Sequence, residues 1–439
     1  MPPPPIPQDI DTKRALIRQR QWDKLRALLQ TVLPMNKFWS KRLAGLPLDT
    51  LEGFLEHCPF LGKKMLMEDR ENFPPYGTNL TFPIENYTRF CQTSGTSGKP
   101  LAWLDSRDDW RVMLDCWETI FNKAGLEPGE DRVFFPFSFG PFLGFWTAFE
   151  AATRMGCLVI PGGGMSTMAR LQTMLEHGVS VICCTPTYAQ HLGEVKTMDP
   201  VLSAAEWNLK TIIVAGEPGG SSPIIRAKIE AQWPGVKVFD HHGLTEVGPV
   251  SYQDPKLPGR LLVLEEFYLV EIIDPASGRE VLAGEEGELV ITTLRRMGCP
   301  LLRYKTGDIV RKGYSRLGRL SFEGGVSGRL DDMVLVRGVN VFPSAIDAIV
   351  RRFPLIEEYQ VREERKAAML ELHLLVEPIS EQRPAQMAQL KEQVEAALRD
   401  ALALRIPVTV LRPGALPRFE FKARRWIKEV RRAEPIVIS

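Results

Sequence analysis

No run of about 18 apolar residues occurs in this chain, so a membrane-spanning helix is not expected. The opening stretch, MPPPPIPQDI, lacks a basic segment followed by an apolar one, so it does not read as a secretory signal. Pro2 to Pro5 read instead as a short extended tail. Charge of one sign is not in excess. Lys and Arg number 55 and Asp and Glu 54, a net of +1, so no global field draws the chain to nucleic acid or anionic lipid. The cysteines number seven and form no CxxC pair; an odd, scattered set fits free thiols in a reduced cytoplasm better than a disulfide framework. There is no internal repeat. What is present, 44% hydrophobic and 25% charged residues over 439 positions, suffices for a soluble enzyme with a sizeable core.

Apolar residues recur at helical spacing across residues 11–42, among them Leu16, Trp22, Leu25, Leu29 and Val32, which predicts one helical stretch. Over residues 87–240 short apolar runs (133–135, 157–160, 179–184, 211–215, 236–239) alternate with amphipathic segments such as 165–177 and 222–232. That alternation predicts a mainly parallel, covered α/β sheet. Cys183 and Cys184 fall on one of these runs and read as core. Between residues 259 and 322 the helical segments stop and short strands separated by Gly and Asp turns predict a small β subdomain. Beyond Arg329 the texture changes again, to a strand at 333–336, a helix at 345–352, a strand at 369–376, a helix at 385–402 and a last strand at 407–411. The expected fold is α/β, with a large N-terminal domain (1–329) and a small α+β C-terminal domain (330–439).

The segment YTRFCQTSGTSGKP places Thr93, Ser94, Gly95, Thr96, Ser97, Gly98 and Lys99 after a strand-like lead. Glycines let a backbone approach phosphates closely, and hydroxyls and N–H groups supply donors. It is not a Walker loop, since GxxxxGK[ST] is absent. From these residues alone, a phosphate cradle and a flexible surface turn are both open. Downstream follow His242-Gly243-Leu244-Thr245-Glu246, then Tyr304-Lys305-Thr306-Gly307-Asp308, then GRLDDMVLVRGVNVFP from Gly328, and LPRFEFKA from Leu416.

In this order the set resembles the superfamily of acyl- and aryl-CoA synthetases, adenylation domains and luciferases, and within it phenylacetate–CoA ligases. The resemblance implies ATP, Mg²⁺ and coenzyme A as reaction partners. It implies that residues 93–99 cover the ATP phosphates, that Glu246 helps hold Mg²⁺, and that Asp308 accepts the ribose hydroxyls. Gly216, Glu217 and Pro218 match the adenine-side loop, and Asp240, with His241, His242, Gly243 and Thr245 after it, matches the nucleotide-binding strand end. The resemblance further implies that Arg329 lies near the ribose and the interdomain hinge, that Asp331 is the hinge of a mobile C-terminal domain, and that Lys422 is the catalytic lysine.

Two departures stand out. His242 occupies the place where the family usually has a tyrosine, and the lysine loop carries Phe419 and Phe421 where small residues are usual. The His241-His242 pair has no Cys or carboxylate cluster at metal-ligand spacing beside it. The aromatic segment 133–149 reads first as core; its Phe139, Gly140, Pro141 and Phe142 also match the family's acid pocket and suggest a flat, aromatic acid. The expected reaction joins a small carboxylic acid to AMP and then to a thiol. Coenzyme A is the leading acceptor; a carrier protein or an amine is the alternative, and a non-catalytic nucleotide- or acyl-binding relative is another. Neither nucleic acid nor membrane is expected as a partner, and a homodimer is left open.

Overall fold

The computed structural model describes residues 10–93, 100–336, 339–366, 369–419 and 424–428. The chain divides into two compact units, Met1–Ser327 and Gly328–Ser439.

The first unit opens with two helices rather than one, α1 (Ile10–Val32) and α2 (Lys37–Leu43). Pro34 explains the break: it has no N–H to donate and turns its predecessor away from helical geometry. Asn36 then restarts the helix, its side-chain oxygen accepting the Trp39 N–H at 3.2 Å. Short helices α3 (Leu51–His57) and α4 (Lys63–Asn72) lead to an antiparallel hairpin of β1 (Tyr87–Gln92) and β2 (Ala102–Ser106).

Helix α5 (Arg107–Ala124) begins the strand–helix alternation. There follow β3 (Arg132–Phe135), α6 (Leu143–Met155), β4 (Leu158–Pro161), α7 (Thr167–Glu176), β5 (Val181–Cys184), α8 (Pro186–Met198), α9 (Pro200–Ala204), β6 (Thr211–Val214), α10 (Pro223–Gln232) and β7 (Lys237–Leu244). The antiparallel strands are β8 (Gly248–Asp254), β9 (Leu257–Val263), β10 (Tyr268–Ile273), β11 (Glu286–Thr293), β12 (Tyr304–Tyr314) and β13 (Leu320–Arg329). The predicted β region is not detached from the parallel one. All eleven strands from β3 to β13 form one mixed sheet in the order β10-β11-β12-β13-β9-β8-β7-β6-β5-β3-β4. Strand β7 is the junction: Lys237 to Asp240 pair in parallel with β6, and His241 to Leu244 pair antiparallel with β8.

Side chains alternate across a strand, and the parallel half uses both faces. Val133, Phe135, Cys183 and Ile213 enter one apolar cluster, whereas Phe134, Cys184, Ile212 and Val214 enter another. Continuous apolar runs are what a sheet covered on both sides requires. All seven cysteines are unpaired and buried.

The second unit contains the hairpin β14 (Val334–Val336) and β15 (Val339–Val341), helix α11 (Pro343–Val350), β16 (Ile356–Lys366), β17 (Met369–Pro378), α12 (Pro384–Leu402), β18 (Val408–Val410) and β19 (Trp426–Lys428). The last four strands form a sheet ordered β18-β17-β16-β19. Its core includes Ile346, Val361, Leu374, Val376, Val394 and Leu398. The strand predicted to be last is therefore followed by another. Surrounding arginines and lysines hide β19 in the sequence. Arg425 makes a two-pronged bond to buried Glu358, at 2.6 and 2.9 Å, beside the place where β19 joins β16.

Candidate functional site

Parallel strands leave a crevice beyond their carboxyl ends, and ligands bind where the strand order switches. Here the strand order reverses between β3 and β5, and β7, two strands beyond β5 in the same parallel set, carries Asp240, His241 and His242 in succession. Alternation separates the two histidines. His241 is buried edge-on against Trp117 of α5, ring centres 4.5 Å apart, and burial lowers its basicity to a pKa of about 3. It is a neutral core residue, set apart from its neighbour. His242 faces the other way, its Nε2 2.9 Å from Asp308 Oδ2 on β12. The Asp308 backbone N–H donates to Thr306 Oγ1 at 3.0 Å, within the strand that carries Tyr304.

Asp240 is buried and takes a 2.6 Å hydrogen bond from Ser221. Burial pushes its carboxyl up to about 6, against the lowering effects of Ser221 and Arg226. A Cβ on Gly220 would lie 2.4 Å from the Asp240 carboxylate, so only glycine lets the adjoining loop approach this close. The same loop holds Gly216, Glu217 and Pro218. Glu217 Oε1 accepts the Thr187 N–H at 2.8 Å, at the start of α8, which ties the loop to the end of β5.

Glu246 follows β7 in the turn to β8 and is buried. Its Oε1 lies 3.4 Å from Lys63 Nζ and accepts from the Tyr304 hydroxyl at 3.4 Å. Its backbone carbonyl accepts from Arg296, which also pairs with Asp105; Arg296 and Asp105 are both fully buried. Thr245 is half-buried in this turn and Gly243 exposed. A Cβ on Gly243 would meet the Gly248 carbonyl at 2.8 Å, which fixes glycine there. Lys63, Ser221 and Arg296 were not legible as site residues. The sequence shows only a Lys-Lys pair opening a helix, a serine after glycines and an Arg-Arg pair.

Thr93 opens the segment expected to cradle phosphate and is paired across it with Leu101. Its N–H donates to Leu101 O at 3.0 Å, and its Oγ1 accepts the Leu101 N–H at 2.9 Å. Ser94, Gly95, Thr96, Ser97, Gly98 and Lys99 lie outside the described residues. Just before Thr93, the Gln92 N–H donates to Pro141 O at 2.8 Å, joining this hairpin to the predicted acid pocket. That turn leaves the carboxyl end of β3. Phe139, Pro141 and Phe142 are half-buried, Gly140 has a positive φ of 46°, and Trp146 Nε1 donates to Gly140 O at 2.8 Å. Phe139 meets Trp146 and Phe149 with ring centres 4.8 and 5.2 Å apart, and Phe137 stacks on Phe145 at 3.7 Å.

In the second unit Arg329 lies 3.4 Å from Asp331, in the turn Leu330–Asp332. Lys422 lies outside the described residues. The chain on either side of it is held by buried carboxylates: Arg418 pairs with Glu377 at 2.5 Å, and Arg425 with Glu358.

Residues 83–297 match the AMP-binding enzyme family, and residues 338–429 match the AMP-binding enzyme C-terminal domain. The phenylacetate–coenzyme A ligase of Pseudomonas putida is 31% identical over 82% of this chain and 78% of its own length. That of Thermus thermophilus is 29% identical over 95% and 98%. Among solved structures, 2-hydroxyisobutyryl-CoA ligase in complex with its acyl-AMP is 28% identical and superposes with a TM-score of 0.85, covering 95% of this chain and 90% of that one. The same enzyme in complex with acyl-AMP and CoA is 27% identical, with a TM-score of 0.68 over 97% and 91%.

Proposed function

The chain belongs to the AMP-binding, adenylate-forming enzyme family, and from that premise we propose how its residues divide the work of an AMP-forming acid–thiol ligase. The enzyme converts a carboxylic acid and ATP to an acyl-AMP and passes the acyl group to coenzyme A. In the first step a carboxylate oxygen attacks the α-phosphorus and the bond to pyrophosphate breaks. In the second the thiol attacks the acyl carbon, loses its proton, and AMP leaves.

We assign ATP and acid binding to residues 1–329 and the catalytic lysine, Lys422, to residues 330–439. The observation that carries the residue assignment is the meeting of two motifs distant in sequence. Tyr304 and Asp308 of β12 reach Glu246 and His242 at 3.4 and 2.9 Å. Asp308 takes the ribose hydroxyls. Residues 93–99 take the phosphates, with Thr93 holding the loop's base closed. Gly216, Glu217, Pro218 and Asp240 border the adenine. Glu246 fits a divalent cation: Lys63 already sets a positive charge 3.4 Å from it. No group of three or more potential ligands stands together among the described residues, which suits Mg²⁺, an ion that takes one or two carboxylates with phosphate oxygens and water. When bound, it would neutralise phosphate charge as two anions meet.

The aromatic turn 139–142 supports an aromatic acid as substrate. The relatives are named for phenylacetate and the structural neighbour for 2-hydroxyisobutyrate. Acid-dependent pyrophosphate release decides, with phenylacetate, benzoate, 2-hydroxyisobutyrate, acetate and palmitate compared with and without coenzyme A. An aryl acid is expected to give the highest kcat/KM; a lead for acetate or palmitate rejects the pocket assignment. Release that needs the acid but yields no thioester with coenzyme A turns the acceptor toward a carrier protein or an amine. Seven unpaired thiols support a cytoplasmic location.

A further inference from the structure

The bond between His242 and Asp308 joins strands that are not neighbours. Three strands, β13, β9 and β8, stand between β12 and β7 in the sheet order, so the 2.9 Å contact closes across the face of a strongly curled sheet. Both side chains are largely out of solvent, 13% and 5% exposed. The second ring nitrogen, Nδ1, is buried without a hydrogen-bond partner. A carboxylate oxygen accepts, so the ring nitrogen that faces it, Nε2, carries a hydrogen and donates it to Asp308. Phe322 meets the imidazole edge-on, ring centres 6.3 Å apart, and helps hold its plane.

We propose that His242 is a positioning residue for ATP recognition: its Nε2–H holds the Asp308 carboxylate in the orientation that receives the ribose hydroxyls. The imidazole is thereby committed to a carboxylate and not to stacking on adenine. A carboxylate offers about four lone-pair sites, so one donated bond orients the group and leaves acceptor capacity for a diol. This inference rests on the assignment of Asp308 to the ribose.

The test compares ATP with 2′-deoxy-ATP and 3′-deoxy-ATP in acid-dependent pyrophosphate release. Wild type is expected to favour ATP by roughly tenfold or more in kcat/KM, the effect of losing a hydrogen bond to a charged group. Asp308→Asn should bring that ratio near one. His242→Phe, which keeps a ring but has no donor, should lower it roughly as far, while His242→Gln, whose amide can donate, keeps it. If Asp308→Asn leaves the ratio intact, the ribose assignment falls and this inference with it. If Asp308→Asn abolishes the ratio but His242→Phe preserves it, Asp308 stands and the role of His242 is overturned. Equal losses for ATP and both deoxy analogues in His242→Phe mean that His242 acts apart from the ribose contact, and also overturn it. Should His242→Phe fail to fold, His242→Gln against the near-isosteric His242→Met makes the same comparison.

Discussion

Glu246 is held by three different kinds of contact: an ammonium and a phenol at its carboxylate, and a guanidinium at its carbonyl. Glu246→Gln keeps the shape and removes the charge. Acyl-AMP formation is expected to fall by about 10²-fold or more, as when one electrostatic group is lost from a reacting site. Pyrophosphate release at limiting Mg²⁺ measures it, and an unchanged rate rejects the metal role. His241 has a different consequence, for stability. Its pKa of about 3 in the fold lies below the ordinary histidine value, so the unfolded chain binds the extra proton between about pH 6.5 and 3. Stability from this residue is present above pH 6.5 and is lost as pH falls, by about 1.4 kcal/mol per unit. The raised carboxyls of Asp105 and Asp240, both near 6, act oppositely, favouring the fold at acid pH and losing that contribution as pH rises from about 4 to 6. The variant His241→Leu isolates the histidine. Urea midpoints at pH 7.5 and 5.5 should show wild type losing about 1.4 kcal/mol more than the variant; parallel responses would contradict the neutral assignment.

At the scale of elements, the site depends on links between segments far apart in sequence. Arg296, after β11, ties the end of β2 to the turn that carries Glu246 through Asp105 and the Glu246 carbonyl. Arg296→Met leaves Asp105 buried without its partner and is expected to cost about 3–5 kcal/mol. Adding Asp105→Leu should recover most of that stability but not the adenylation rate, because the Glu246 carbonyl still lacks its donor. Thermal unfolding and pyrophosphate release on the two variants separate these effects. A second link runs from Trp146 through the turn at Gly140 and Pro141 to Gln92, beside the proposed phosphate loop. Trp146→Phe keeps the ring and removes one hydrogen bond, at about 0.5–1.5 kcal/mol. KM for acid and for ATP should rise together, several-fold, with little change in melting temperature. A rise confined to the acid means the link carries nothing.

At the scale of the molecule, the two half-reactions are expected to draw differently on the two units. Lys422 belongs to the second. Lys422→Ala should slow acyl-AMP formation by roughly 10²–10³-fold, the range for removal of a charge-stabilising donor. Thioester formation from supplied acyl-AMP should change little, since a contact absent from that transition state cannot alter its barrier. Single-turnover assays of each half-reaction check this, and equal losses in both reject the division.

Local chemistry is what the sequence determined. Apolar runs bounded by turns placed β3, β5 and β6 because a strand covered on both faces needs continuous apolar residues. Glycine and hydroxyl clusters pointed to a phosphate loop at residues 93–99, because close approach and donors have few other solutions. The five motifs in order identified the family and the reaction. Continuous helical spacing hid the break at Pro34, and a basic run hid β19, because periodicity reports faces and not pairing partners. The tertiary structure alone decided that one eleven-stranded sheet joins the parallel and antiparallel halves at β7. It alone turned His241 into the core and His242 toward Asp308, since a strand's alternation is known only once its covered face is. Lys63, Ser221 and Arg296 came to the site the same way: their partners lie 19 to 191 residues distant, and no local signal marks a contact made by the closing of the fold.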